Sequence, residues 1–259
     1  MTPPRLFAAS LIALVVAACG PPPRPALPSG SGTPFPGFAA AYDQATAECR
    51  SVNAITAELA LSGRAGGSKL RGRINAGLAA PEDIVLEGLA PFGKPAFVLS
   101  GRGGEATLWL PRDERVLRGA PPAAIVEALA GVALTPSELR GAIAGCGFGV
   151  TGPSGGRMFS DDWAAVDTAA GTVYLRRIDG RWRVAAAVRD ALTIQYGDFV
   201  GSRATTVYVR TPVADLTLRL SQVETNEPID PRAFDLEIPA NAQPLSLEEL
   251  RRAGPLGEK

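Results

Sequence analysis

Few residues in this chain have the type and spacing to do covalent chemistry. Gly147-Phe148-Gly149-Val150-Thr151-Gly152 has the spacing of a phosphate-cradling loop. It follows a helical stretch and opens no helix, so it lacks the strand-loop-helix setting a dinucleotide needs and reads as a plain loop. Asp161-Asp162 and Glu248-Glu249 are adjacent carboxylates that could share a proton. Neighbours on a strand point to opposite faces, and carboxylates at a helix start serve as caps, so both pairs read as solvated turn or cap residues. The chain has no histidine, which removes Ser-His-Asp and Cys-His machinery and every histidine metal site. No serine sits in a nucleophile-elbow context. A non-enzymatic protein without metal or cofactor is expected. With 26 basic and 26 acidic side chains, net charge gives no reason to expect nucleic acid or a polybasic grip on anionic lipid.

The cysteines remain. Arg5 precedes an apolar run from Leu6 to Val16 that is too short for a membrane span of about 20 residues, so residues 1–18 read as an export signal. Val16-Ala17-Ala18-Cys19 resembles the lipobox of bacterial lipoproteins, with Val where Leu is commoner. The resemblance implies cleavage before Cys19 and acylation of its thiol. Gly20 rather than Asp follows, which by the sorting rule of Gram-negative lipoproteins implies the outer membrane, with the folded part facing the periplasm. Residues 19–34 are rich in Pro, Gly and Ser and read as a semi-extended tether. Cys49 and Cys146 form an even remainder in an exported chain, which favours a disulfide over two buried free thiols.

Periodicity gives the elements that must position these residues. Phe35, Phe38, Tyr42, Ala45 and Cys49 have helical spacing over 35–50. Six short alternating runs follow up to Gly119, then two helices. Pro121 and Pro122 open the first. Thr135, Pro136 and Glu138 give the second an N-cap, a first-turn proline and a capping box. After a Gly-rich link, GFGVTGPSGG, six more strands run from Asp162 to Glu224. Ile178-Asp179-Gly180-Arg181 carries the clearest hairpin signal. A last short strand is expected over 234–238 and a small helix over 246–252 with a Ser246–Glu249 capping box. The expected fold is mainly β with a helical lid: a half-open antiparallel barrel of about 11–12 strands, helices in its concavity, over residues 35–240, with a C-terminal tail over 241–259.

By strand alternation, Leu59, Leu61, Ile74, Ile84, Leu86, Phe97, Leu99, Leu108 and Leu110 face inward and would line an apolar cavity. Ile125, Leu129, Leu139 and Ile143 are the lid residues that would cover it. Arg71, Arg73, Arg176 and Arg177 lie on strands and read as a solvated outer face or as partners for a lid or head group. Pro91-Phe92-Gly93 places a phenyl ring at a turn tip, where a polar residue would be usual. The tip either folds back on the lid or touches something apolar outside the chain.

DIVLEGLAPFGKPAFVL, EATLWL and EALAGVALTPSELRGAIAGC together resemble LolB, the outer-membrane receptor of the bacterial lipoprotein-localisation pathway. The resemblance spans about residues 35–147 and rests on Pro91-Phe92-Gly93 and on the stretch Gly131 to Leu139. It implies a half-barrel that holds acyl chains, with Phe92 as the protruding residue that enters the membrane, where this family often has Leu. The implied function is to receive lipoproteins, or another lipid cargo, and insert them into the outer membrane. The implied partners are membrane lipid, lipoprotein acyl chains and a periplasmic carrier protein, met by a monomer. A phenyl ring leaving water for lipid gains roughly 1.5–3 kcal/mol, enough to orient a tethered protein and too little to anchor it. The rival reading is a structural or assembly lipoprotein that holds a periplasmic protein on the same scaffold.

Overall fold

A computed structural model describes residues 24–90 and 94–255. Cys19 and the signal segment lie outside the described residues, as does the tip Pro91-Phe92-Gly93. Two antiparallel meanders form the fold. The first comprises β2 (Ala54–Ala65), β3 (Ser68–Ala79), β4 (Asp83–Leu89), β5 (Phe97–Arg102), β6 (Glu105–Leu110) and β7 (Arg115–Ala120). The second comprises β8 (Pro153–Ser160), β9 (Trp163–Thr168), β10 (Gly171–Ile178), β11 (Arg181–Arg189), β12 (Leu192–Val200), β13 (Arg203–Arg210) and β14 (Ala214–Thr225). β14 pairs with β2 and fuses the meanders, while the short strands β1 (Thr33–Pro34) and β15 (Gln243–Pro244) finish the two edges. The result is one 15-stranded sheet whose ends do not meet, antiparallel except where β15 joins β7. So large a sheet must curl.

The helices pack on this sheet. α1 (Phe38–Arg50) lies on β8 to β11, and α3 (Pro136–Ala144) lies on β2, β3 and β13. α2 (Pro122–Ala130) sits on β6 and meets α4 (Leu247–Ala253). Their ends follow the local chemistry. Thr135 and Ser246 form capping boxes with Glu138 and Glu249, and Asp179 and Gly180 both take positive φ in the hairpin between β10 and β11. Glu249 also accepts a hydrogen bond from Arg115 on β7. The Ser246 backbone amide, then the Arg115 and Ser246 side chains, lower its carboxyl from 4.5 to about 2. A depressed acid contributes stability above its unfolded value and loses it as pH falls through the folded one. The docking of α4 on β7 should therefore weaken between about pH 4.5 and pH 2, which an NMR titration of α4 amides would detect.

Four expectations change. The strand count rises from 11–12 to 15, partly because Pro153 to Ser160 is a strand where the sequence reads as a flexible link. Its Gly156 is needed for packing, since a Cβ there would stand 2.2 Å from the Phe38 Cβ of α1. The first helix begins at Phe38 rather than Phe35, because Thr33–Pro34 pair as a strand and Pro36-Gly37 make a turn in which the Phe38 amide donates to the Phe35 carbonyl. Residues 234–238 form no strand; a 3-10 turn, Pro231–Phe234, buries Phe234 and lets Ser100 donate to its carbonyl. The spacer expected to run free to residue 34 is, from Arg24 onward, laid on the sheet. Arg24 pairs with Asp215 at 2.6 Å and stacks over the Tyr208 ring, Gln195 donates to the Pro25 carbonyl, and Thr33–Pro34 pairs with β8.

Candidate functional site

The register places all nine inward-read leucines, isoleucines and Phe97 on one face of the first meander. Leu59 opposes Ile74, Leu86 opposes Leu99, Leu99 opposes Leu108, and Leu61 opposes Leu218 of β14. Directly opposed residues share a face, and so do residues two apart. This face does not stay hollow. Ile84, Leu99 and Leu108 are fully buried, and Leu59 and Leu110 nearly so, in one core with Ile125, Leu129 and Ile143, against which Leu139 packs. Leu61, Ile74, Leu86 and Phe97 are half-buried. Phe97 lies across Gly88, where a Cβ would be 2.4 Å from the ring. Gly88→Val should therefore expel the phenyl ring from this face; a change in Phe97 aromatic NMR shifts, with the fold intact, would report it.

Open space lies instead over the second meander. α1 covers β8 to β11 and α3 leans on β13 from the other side, which leaves a gap between the helices at the ends of β11, β12 and β13. A cavity of about 470 Å³ fills it. Val184, Tyr196 and Ala204 of the sheet, Ala45 and Val52 beside α1, Ile55 of β2 and Ile143 of α3 line it, with Trp182 and Phe199 at its side. Arg181, Arg183 and Arg203 also line it, and Glu48 is its single carboxylate. Arg177 stacks on Trp182 with its guanidinium carbon 4.6 Å from the ring centre, and Arg183 stacks on Phe199 at 5.8 Å. Such a site has an apolar depth and a cationic margin. Of the residues picked from the sequence as cavity or lid, Ile143 is the one that lines this space.

The disulfide is present: Cys49, at the end of α1, joins Cys146, just beyond α3, with Cα atoms 5.8 Å apart. A second cavity of about 510 Å³ lies on the other side of the bridge, between α1, α3 and the loop 149–153. Cys49, Val52 and Ala144 line both spaces, so the bridge and its neighbours form the wall between them. The second space is the more polar, with Asp43, Arg50 and Arg140 around it. Two of its buried oxygens, the Tyr42 hydroxyl and Thr151 Oγ1, have no well-formed hydrogen bond.

Tyr196 is the positioning residue that strand alternation does not single out. Its buried hydroxyl donates to the Ala142 carbonyl at 2.9 Å and accepts from the Gly147 amide at 2.8 Å, which ties the end of α3 to the cavity floor. Burial raises its pKa well above the ordinary phenol value, while the Gly147 bond pulls the other way. Gly147 itself has φ +65°, and a Cβ would stand 2.4 Å from that of Ala187. Gly147 is thus a close-packed helix exit, and the run Gly147–Gly152 opens no helix of the kind a phosphate loop needs. Tyr196→Phe leaves a buried amide and carbonyl without a partner, at roughly 1–3 kcal/mol for each unsatisfied group; urea denaturation measures the loss.

No protein-family model matches the sequence, and no curated protein matches it. Solved structures do share its shape. A LolA-superfamily protein from Nitrosomonas europaea superposes with a TM-score of 0.49 at 13% identity, covering 74% of this chain and 95% of that one. LprF from Mycobacterium bovis gives 0.35 at 11%, covering 82% of this chain and 100% of that one. The lipoprotein LppX of Mycobacterium tuberculosis gives 0.33 at 11%, covering 75% and 98%. The likeness is one of fold.

Proposed function

We propose that this protein is a non-enzymatic, acyl-anchored lipid carrier of the bacterial envelope, holding one hydrocarbon chain between the sheet and helices α1 and α3. The observation that carries this reading is the cavity of about 470 Å³, within the usual ligand-site range of about 300–1,000 Å³. Its depth offers Ile55, Ile143, Val184 and Ala204 to an apolar tail, and Arg181, Arg183 and Arg203 stand ready for the polar end of the same molecule. The sequence supports the rest. Cys19 in its lipobox supplies the anchor, Gly20 the outer-membrane address, and Phe92 an apolar tip that would help deliver the cargo, a lipoprotein or another acylated lipid. The half-buried strip Leu61, Ile74, Leu86 and Phe97 leads along the sheet towards the strand ends that flank that tip.

The direct test is mass spectrometry of lipid extracted from protein purified without detergent. Acyl lipid at a near-equimolar ratio supports the carrier reading; a lipid-free protein that co-purifies with a periplasmic partner favours the assembly role instead. In cells, Phe92→Glu should strand lipoproteins in the periplasm while the purified variant keeps its melting temperature. Normal lipoprotein sorting in a strain depleted of the whole protein would exclude that cargo.

A further inference from the structure

The convex face of the sheet carries charge that the carrier role does not use. Cross-strand rows place Arg210, Asp215, Arg64 and Lys69 side by side, then Tyr208, Thr217, Ser62 and Arg71, then Thr206, Arg219, Ala60 and Arg73. The Arg and Lys side chains in these rows are exposed. Asp215 is taken by Arg24 at 2.6 Å and Arg210 at 3.7 Å, and Glu58 by Arg73 at 3.4 Å. Among the described residues, Arg64, Lys69, Arg71 and Arg219 have no carboxylate partner. Glu87 lies in the Glu58 row, across Asn75, and Glu224 lies one row further on, so the acidic side chains of this face begin beside the Arg73 row and extend towards its other end. The chain as a whole is neutral, so this patch is a local separation of charge.

The N-terminal segment ends on the same patch. Arg24 is clamped by Asp215, Thr217 and the Tyr208 ring, in the middle of the basic rows. Four residues lie between Cys19 and Arg24, and the five steps from one Cα to the other span at most about 18 Å. With the acyl anchor proposed on Cys19, the bilayer that receives it would come within that distance of Arg24 and its basic neighbours. We infer that the convex face around Arg64, Lys69, Arg71, Arg73 and Arg219 is a docking surface for a lipid bilayer bearing anionic head groups. The clamp on Arg24 fixes which side of the barrel meets the membrane, and the helix-covered concave face points elsewhere. The position of the anchor rests on acylation of Cys19; the charge pattern does not.

The experiment separates the two. The mature chain with Cys19→Ser, which has no acyl group, is sedimented with vesicles of phosphatidylcholine alone or mixed with phosphatidylglycerol. Binding is expected only to the phosphatidylglycerol vesicles and should fall steeply as salt rises. The triple variant Arg71→Gln, Arg73→Gln, Arg219→Gln should bind roughly 100-fold more weakly, with an unchanged melting curve. The same number of neutralisations elsewhere, Arg112→Gln, Arg232→Gln and Arg252→Gln, should leave binding near that of the parent. Absence of binding, equal binding to neutral vesicles, or full binding by the first triple variant would overturn the docking surface. None of these results bears on the cavity, whose occupancy is read separately from the extracted lipid.

Discussion

Ala45→Trp is expected to fill the cavity beneath α1 and displace the lipid proposed to bind there, while leaving the fold in place. Ala45 is a half-buried position on α1 whose side chain faces the space bounded by Val184, Tyr196, Ala204 and Ile143. An indole at this point occupies volume that a hydrocarbon tail would otherwise fill, and α1 tolerates tryptophan at small cost in helix propensity. Displacing only two methylenes forfeits about 1.6 kcal/mol of burial, equivalent to about a tenfold fall in affinity. Lipid extracted from the detergent-free variant should fall by about that factor relative to the parent, with the melting temperature held. Retention of lipid at the parent ratio would move the binding site off this cavity and towards the half-buried strip of Leu61, Ile74, Leu86 and Phe97. The same substitution should not alter vesicle docking by the convex face.

Loss of the Cys49–Cys146 bridge should lower the stability of the fold substantially. The bridge spans a sequence separation of 97 residues, and closing a loop of that size stabilises by roughly 4–5 kcal/mol in the chain-entropy account. With a urea dependence of about 2 kcal/mol per molar, the midpoint of the double variant Cys49→Ser, Cys146→Ser should drop by about 2 M. The same drop should follow addition of reductant to the parent protein and should be absent when reductant is added to the double variant. An unchanged midpoint would show that α1 and α3 are held by packing alone. There is a functional consequence as well. The bridge stands in the wall between the two cavities, so its loss should also loosen the grip on lipid, read as faster transfer of a fluorescent fatty acid to vesicles.

The sequence was most informative where a single residue type or a short local pattern carries the physics. Absence of histidine removed whole classes of chemistry, and the lipobox and its preceding apolar run spoke without reference to any fold. The capping boxes at Thr135 and Ser246 placed two helix starts, because a cap depends on residues three apart and on nothing distant. Alternation along β2 to β6 was enough to sort the nine apolar side chains onto one face, since pleating alone sets that property.

What lies opposite that face could not be read in the same way. Whether Ile84, Leu99 and Leu108 meet solvent, lipid or a helix depends on where α2 and α3 settle, and they settle there, sealing the first meander. The hollow falls over β11 to β13 because α1 and α3 approach from opposite sides and stop short of each other. No spacing along the chain encodes that distance. β8 was hidden by Gly155 and Gly156, and the missing side chain at Gly156 is a packing requirement of Phe38 more than a hundred residues away. The docked Arg24 and the convex basic rows likewise come from strands that pairing alone brings side by side. Local pattern thus determined composition-level chemistry, element starts and strand faces; tertiary packing decided which face is filled, where a cavity is left, and on which side of the sheet Arg24 lies. Periodicity is a property of neighbours in the chain, whereas enclosure is a property of neighbours in space.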